Sequence, residues 1–133
     1  MKKNLKWILE KEFSFDAAHK LENMPAGHKC GQLHGHTWRV IVRVASYHLK
    51  MPQQWVIDFG ELKPMVEDVL RAFDHDYLNT KMQDNPTCEI LAMNIYRQIA
   101  EKLGSSKIRF LDSITVYETV GNGCTFRVEK ESV

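Results

Sequence analysis

Between His34 and Ala45 the chain alternates cleanly. Trp38, Val40, Val42 and Val44 fall on one side, and Thr37, Arg39, Ile41 and Arg43 on the other. A period of two with one apolar side predicts a half-buried strand. The stretch from about Leu5 to Ala18 mixes alternation with large apolar residues, Trp7 and Leu9, then Phe13 and Phe15. It predicts a first strand with a bulge in it. Residues 19–33 contain Pro25, Gly27 and Gly31 and predict a loop, so the two strands are expected to pair antiparallel. A second loop, Leu49–Gln54, carries Pro52. Asp58-Phe-Gly-Glu61 then offers a capping box, and Leu62, Val66, Val69, Leu70 and Phe73 follow at helical spacing. Pro64 is expected in the first turn, where a missing N–H costs nothing. After a loop over Asp74–Pro86, a second helix is predicted from about Thr87 to Leu103. Its stripe is Leu91, Ile95, Ile99 and Leu103, and Gly104 terminates it. Two strands near Ile108–Thr119 and Cys124–Glu129 close the chain. The expected order is ββααββ, an α+β fold with a four-stranded antiparallel sheet and two helices. Such a sheet leaves two open edges, which neighbouring subunits can pair, so a homo-oligomer is expected.

Composition narrows the classes. A length of 133 residues fits one domain spanning 1–133, and 44% hydrophobic with 26% charged residues is enough for a core. A net charge of +1, with basic residues clustered only at Lys2, Lys3 and Lys6, argues against a nucleic-acid partner. No apolar run approaches the roughly 20 residues of a membrane span, so no membrane partner is expected. Positive charge at the start has no apolar stretch behind it, which argues against a signal peptide. Three cysteines, Cys30, Cys88 and Cys124, are an odd count and not a disulfide framework. A reducing, cytoplasmic compartment is expected.

The sharpest local chemistry is His34-Gly35-His36. Residues two apart on a strand share a face, so the two imidazoles can share a metal ion. Gly35 lets another backbone or a ligand come close. His19, at the end of the preceding strand, meets the start of the next one in an antiparallel pair and supplies a third ligand. Three histidines with no fourth protein ligand describe an open Zn²⁺ site, which polarises C–O groups; Fe and Ni also accept imidazole. Cys30 lies four residues before His34. It is a fourth ligand closing a structural site, a nucleophile or base, or a small apolar residue at a loop base. Asp74-His75 forms a proton relay if His75 reaches Cys30, and otherwise a cap and a surface histidine. Glu118, late in the third strand, can bind a planar guanidine-like group through two hydrogen bonds if it is buried. His28 and His48 fall in loops, His48 as a surface residue. Cys88 and Cys124 read as packing residues.

Six segments, taken together and in order, resemble the 6-pyruvoyl-tetrahydropterin synthase family. They are Phe15-Asp-Ala-Ala-His19, Cys30-x-x-x-His34-Gly-His36, Val56-Ile-Asp58-Phe-Gly-Glu-Leu-Lys63, Asp74-His75-x-x-Leu78-Asn79, Asn85-Pro-Thr87-x-Glu89-x-Leu-Ala92 and Glu118-Thr119. The stretch Pro25 to His36 is similar to the branch that forms 6-carboxy-5,6,7,8-tetrahydropterin for queuosine. The animal pyruvoyl-forming branch has a longer gap between cysteine and histidines, and an aldolase-like branch carries Glu where this chain has Leu33.

The resemblance implies a tunnelling fold (T-fold), in which subunits form a trimeric barrel and two trimers stack into a hexamer. It implies a zinc-dependent lyase acting on 7,8-dihydroneopterin triphosphate, with 6-carboxytetrahydropterin, acetaldehyde and triphosphate as products. A pyruvoyl synthase or a pterin aldolase on the same scaffold is the alternative. Carried over by position, His19, His34 and His36 hold Zn²⁺. Cys30 shuttles protons, Asp74 with His75 forms the relay, Glu118 anchors the pterin, and Thr87 and Glu89 line its pocket. Lys29, Lys63 and Arg127 are candidates for triphosphate contacts. The loop Ser46–Gln54 and the extension Val128–Val133 depart from the family pattern. A rival of another class is a non-catalytic binding module whose zinc is structural.

Overall fold

The structure of the chain, a computed structural model, describes residues 5–129. Lys2 and Lys3, and residues 130–133 of the C-terminal extension, lie outside the described residues. Strand β1 (Trp7–His19) and strand β2 (His34–Ser46) pair antiparallel from Trp7 opposite Ser46 to His19 opposite His34. That register is continuous, so the bulge expected in β1 is absent. The register shifts instead where β2 pairs with the strand Leu111–Thr119, at Arg43 and Val44, and again on that strand's other edge, between Tyr117 and Thr119. The pairing places Phe15 opposite Trp38 and Phe13 opposite Val40, so the apolar rows of both strands share a face.

Helix α1 (Phe59–Arg71) and helix α2 (Cys88–Lys107) pack on that face, over a core of Trp38, Val40, Leu62, Val66, Leu91, Ile95, Ile99 and Ile114. Asp58 caps α1, but its side chain accepts from Gly60 N–H at 2.8 Å and not from the third residue. Glu61 reaches Lys107 instead of returning to the cap. Neither bond of the expected capping box forms, although Asp58 still caps the helix. Pro64 sits in the second turn and not the first, where it has no N–H for the Gly60 carbonyl. Gly60 is exposed, so water can take that bond. In α2 the helical path breaks at Gly104, whose φ of 74° belongs to the left-handed region.

Strand β4 (Leu111–Thr119) pairs with β2, and strand β5 (Asn122–Phe126) pairs with β4. The turn between them is only Val120–Gly121, with Gly121 at φ 86°, so β5 starts earlier than the alternation suggests. Among the described residues the sheet has five strands and not four; with Asp76–Tyr77 as β3, their order is β3-β1-β2-β4-β5. The added β3 is Asp76–Tyr77, two residues pairing parallel to Ala17 and Ala18. Two residues carry no period, which is why the stretch reads as loop. The fold is therefore α+β with two helices on one face of a mostly antiparallel sheet. The other face carries a polar ladder, Glu12 to Arg39, and Glu10 to Arg43 to Thr115 to Thr125.

Leu91 is fully buried in α2 against the sheet. Leu91→Ala should cost about 2–5 kcal/mol, read as a lower urea midpoint at unchanged slope.

Candidate metal centre

Register alone brings the histidines together. His19 is directly opposite His34, and His36 is opposite Ala17, so all three side chains lie on the core face at one end of the β1–β2 hairpin. Trp38 floors the group. It is fully buried, its Nε1–H donates to the Ala17 carbonyl at 3.2 Å, and the rings of His19 and His36 stand edge-on to it. Glu118 joins from β4. Val116 of β4 pairs with Val40, so Glu118, two residues on, faces the same way as Trp38 and His36.

Donor atoms of His19, His34, His36 and Glu118 all lie within 4.8 Å of one another. His19 Nε2 is 3.0 Å from His34 Nε2 and 3.1 Å from Glu118 Oε1. His19 Nδ1 donates to the Pro86 carbonyl at 2.8 Å, and His34 Nδ1 donates to the Gln32 carbonyl at 2.7 Å. A carbonyl oxygen only accepts, so in the neutral rings each Nδ1 carries the hydrogen and each Nε2 presents a lone pair. Two lone pairs facing at 3.0 Å repel unless a cation stands between them. His36 Nε2 makes the same demand, since it is buried and without a hydrogen bond although Glu118 Oε1 is 3.3 Å away. Carbonyls that accept from Nδ1–H and so fix the tautomer are what a metal-binding imidazole needs. The donor set suits a divalent ion, with nitrogen ligands that fit Zn²⁺, Fe or Ni.

Burial holds the imidazoles of His19 and His36 below their usual value. The charged form loses hydration there, and neighbouring histidines add repulsion. Neutral rings are the state that binds metal.

Cys30 lies in the short 3-10 turn Lys29–Gly31, half-buried. Its thiol is not part of the four-residue donor group; among the described residues Glu118 takes the fourth place. The closed site with Cys30 as fourth ligand therefore finds no geometric support. Asp74 and His75 form a second group with Asp16. His75 Nδ1 donates to Asp74 Oδ1 at 2.9 Å, and Asp16 N–H donates to the same oxygen at 3.0 Å. His75, at φ 57°, returns its N–H to the Asp16 carbonyl at 2.6 Å. Thr37 Oγ1 donates to Asp16 Oδ1. The His75 ring is 78% exposed, and among the described residues no hydrogen bond links it to Cys30 within one chain. An open cleft of about 990 Å³ is lined by both His36 and His75, so the two groups share a surface.

Thr87 Oγ1 accepts from Ile90 N–H at 3.2 Å and so caps α2, while Glu89 is exposed in the first turn. Cys88 Sγ donates to the Val116 carbonyl at 3.0 Å, and burial pushes its thiol up to about 12, as suits a packing residue. His28 caps the turn before Cys30. Sequence reasoning gave Glu118 a place at the substrate and missed its place beside the histidines. The signal was parity: Ile114, Val116 and Glu118 form one row, and two of them are core residues. Asp16, Thr37 and the Pro86 carbonyl carry no signal in the sequence, because their roles depend on register and on a loop.

The sequence profile of 6-pyruvoyl tetrahydropterin synthase matches residues 8–129. A 6-carboxy-5,6,7,8-tetrahydropterin synthase of Synechocystis sp. is 38% identical over 118 residues, covering 85% of this chain and 87% of the relative. A dihydroneopterin monophosphate aldolase of Pyrococcus furiosus is 39% identical over 101 residues, covering 74% and 80%. Among solved structures, the Caenorhabditis elegans 6-pyruvoyl tetrahydropterin synthase superposes with a TM-score of 0.82 at 24% identity, covering 97% of this chain and 100% of the other. That likeness shows the fold.

The burial of His19 and His36 sets a pH dependence for the metal-free protein. Their folded values lie below the unfolded one, so the unfolded chain takes up more protons between the two. Stability is full above the ordinary imidazole value of about 6.5 and falls as pH drops below it. Urea midpoints of metal-free protein should therefore decline from about pH 7.5 to about pH 5.5, and His19→Asn should flatten the slope. A flat wild-type profile would contradict the reading. By its sequence match over residues 8–129 and its similarity to these relatives, the chain belongs to the 6-pyruvoyl tetrahydropterin synthase family of enzymes.

Proposed function

We propose that the chain is a zinc-dependent lyase that converts 7,8-dihydroneopterin triphosphate to 6-carboxy-5,6,7,8-tetrahydropterin, acetaldehyde and triphosphate, in queuosine (7-deazapurine) biosynthesis. The observation that carries the reading is the facing of the His19, His34 and His36 Nε2 atoms, with two of the rings locked by carbonyls. The names of relatives such as the Synechocystis protein support the product.

His19, His34 and His36 would hold the ion. Bound there, Zn²⁺ supplies Lewis-acid polarisation of substrate oxygens. Cys30 moves protons at the side-chain carbons, and the Asp74–His75 pair takes or returns them, with Asp74 fixing the ring through Nδ1–H. Since His75 is exposed and unlinked to Cys30 in one chain, the relay is completed across a subunit boundary. The free flank of β1 beyond its two-residue pairing with β3, and the free flank of β5, are the edges available for that assembly. A hexamer of two stacked trimers, working in the cytoplasm, is the proposed state. Glu118, with a half-buried carboxylate beside the histidines, offers two acceptors to the amino-pyrimidine edge of the pterin. Thr87 and Glu89 stand at the start of α2 on the border of that pocket.

A second reading, pterin aldolase, is favoured by the Pyrococcus relative. Leu33, 66% exposed, stands where the aldolase-like branch carries Glu, and speaks against it.

Cys30→Ala separates the catalytic reading from a structural site. Metal content and thermal midpoint should stay at wild-type level, while release of acetaldehyde from dihydroneopterin triphosphate falls by about 10²–10⁴-fold. Loss of zinc together with unfolding would make the site structural. A hydroxymethyl-pterin product from the wild type would give the aldolase reading instead.

A further inference from the structure

Two asparagines each direct a whole side-chain amide at the backbone of one residue. Asn79 Oδ1 accepts from Lys20 N–H at 2.9 Å, and Asn79 Nδ2 donates to the Lys20 carbonyl at 2.7 Å. Asn85 does the same with Glu22, at 2.8 and 3.1 Å. Each amide thus stands in for the strand that β1 no longer has once the chain passes His19. Leu21, between the two clamped residues, is left to donate its N–H to the Cys30 carbonyl at 2.8 Å. On its other side Cys30 donates its own N–H to His28 Nδ1 at 3.0 Å. The backbone of Cys30 is therefore held at both ends, and one end is anchored on the asparagines through residues 20–22.

The two asparagines arise at telling places. Asn79 lies in the short turn Leu78–Thr80 that follows β3 and the Asp74–His75 pair. Asn85 precedes Pro86, whose carbonyl orients His19. A carboxylate of the same shape has no donor and would set a charge against a carbonyl oxygen, so asparagine is the residue type that this contact requires.

We propose that Asn79 and Asn85 are positioning residues for Cys30. By clamping Lys20 and Glu22 they fix the Leu21–Cys30 hydrogen bond, and with it the place of the thiol relative to the histidine group. The proposal rests on the reading of Cys30 as the proton shuttle. A shuttling thiol tolerates little displacement, since a shift of about 1 Å costs on the order of 100-fold in rate.

Asn79→Asp tests it, because Asn85 is also adjacent to the carbonyl that holds His19. Hydrogen exchange at the Leu21 amide and iodoacetamide alkylation of Cys30, mapped by mass spectrometry, read the clamp without activity. Bound zinc and the thermal midpoint read the rest of the protein. In the variant, Leu21 exchange and Cys30 alkylation should both accelerate while zinc content stays at wild-type level. kcat should fall about 100-fold with KM little changed. Should Asn79→Asp be unfolded at the assay temperature, Asn79→Ala, which removes both bonds to Lys20 without adding a charge, carries the same comparison. Wild-type rates of exchange and alkylation in the folded variant overturn the clamp, whatever turnover does. Accelerated exchange and alkylation in a protein whose wild type shows no turnover leave the clamp standing and refute the functional reading instead.

Discussion

The register of β1 against β2 is the constraint on which the site depends. Strand side chains alternate, so a slip of one residue would turn His19, Phe15 and Phe13 away from the row that holds His34, Trp38 and Val40. The same alternation that buries Trp38 and Val40 under the helices also delivers the histidines to the end of that row. Core and site are one pattern continued to its end, with apolar residues under the helices and imidazoles at the end of the row, where the Pro86 carbonyl and Glu118 meet them. A change that loosens Trp38 acts on both, since its ring is the floor under His19 and His36.

The rest of the site follows from hydrogen bonds to carbonyl oxygens. Pro86 and Gln32 each take an Nδ1–H, which leaves ring lone pairs aimed at one point, and Glu118 brings a carboxylate to it. Burial keeps His19 and His36 from relieving the repulsion by protonation. A site built this way is poor at being empty and suited to a divalent cation. The second group, Asp16, Asp74, His75 and Thr37, is built differently. It is exposed, held by backbone bonds to β1, and stands across an open cleft from His36.

Much of this was legible in the sequence, for physical reasons that differ by element. The alternation of β2 and the stripe of α2 report burial directly, so both were read close to their true bounds. His19, His34 and His36 could be grouped because antiparallel pairing brings the end of one strand to the start of the next. β3 could not be read, since two residues have no period and their pairing depends on His75 turning through a left-handed conformation. Pro64 misled for the opposite reason. A rule about first turns gave way because the helix end is exposed, so the Gly60 carbonyl is open to solvent. Glu118 beside the histidines needed the β2–β4 register, which no local pattern encodes. The asparagine clamps needed a loop path that only the folded chain shows.

Zinc K-edge X-ray absorption on the purified protein bears most directly on the central claim, that three imidazole nitrogens hold the ion and Cys30 does not. The account predicts a first shell of nitrogen and oxygen at about 2.0–2.2 Å, with outer-shell imidazole scattering from three rings and no sulfur. A sulfur scatterer at about 2.3 Å, or a protein that binds no zinc, would contradict it.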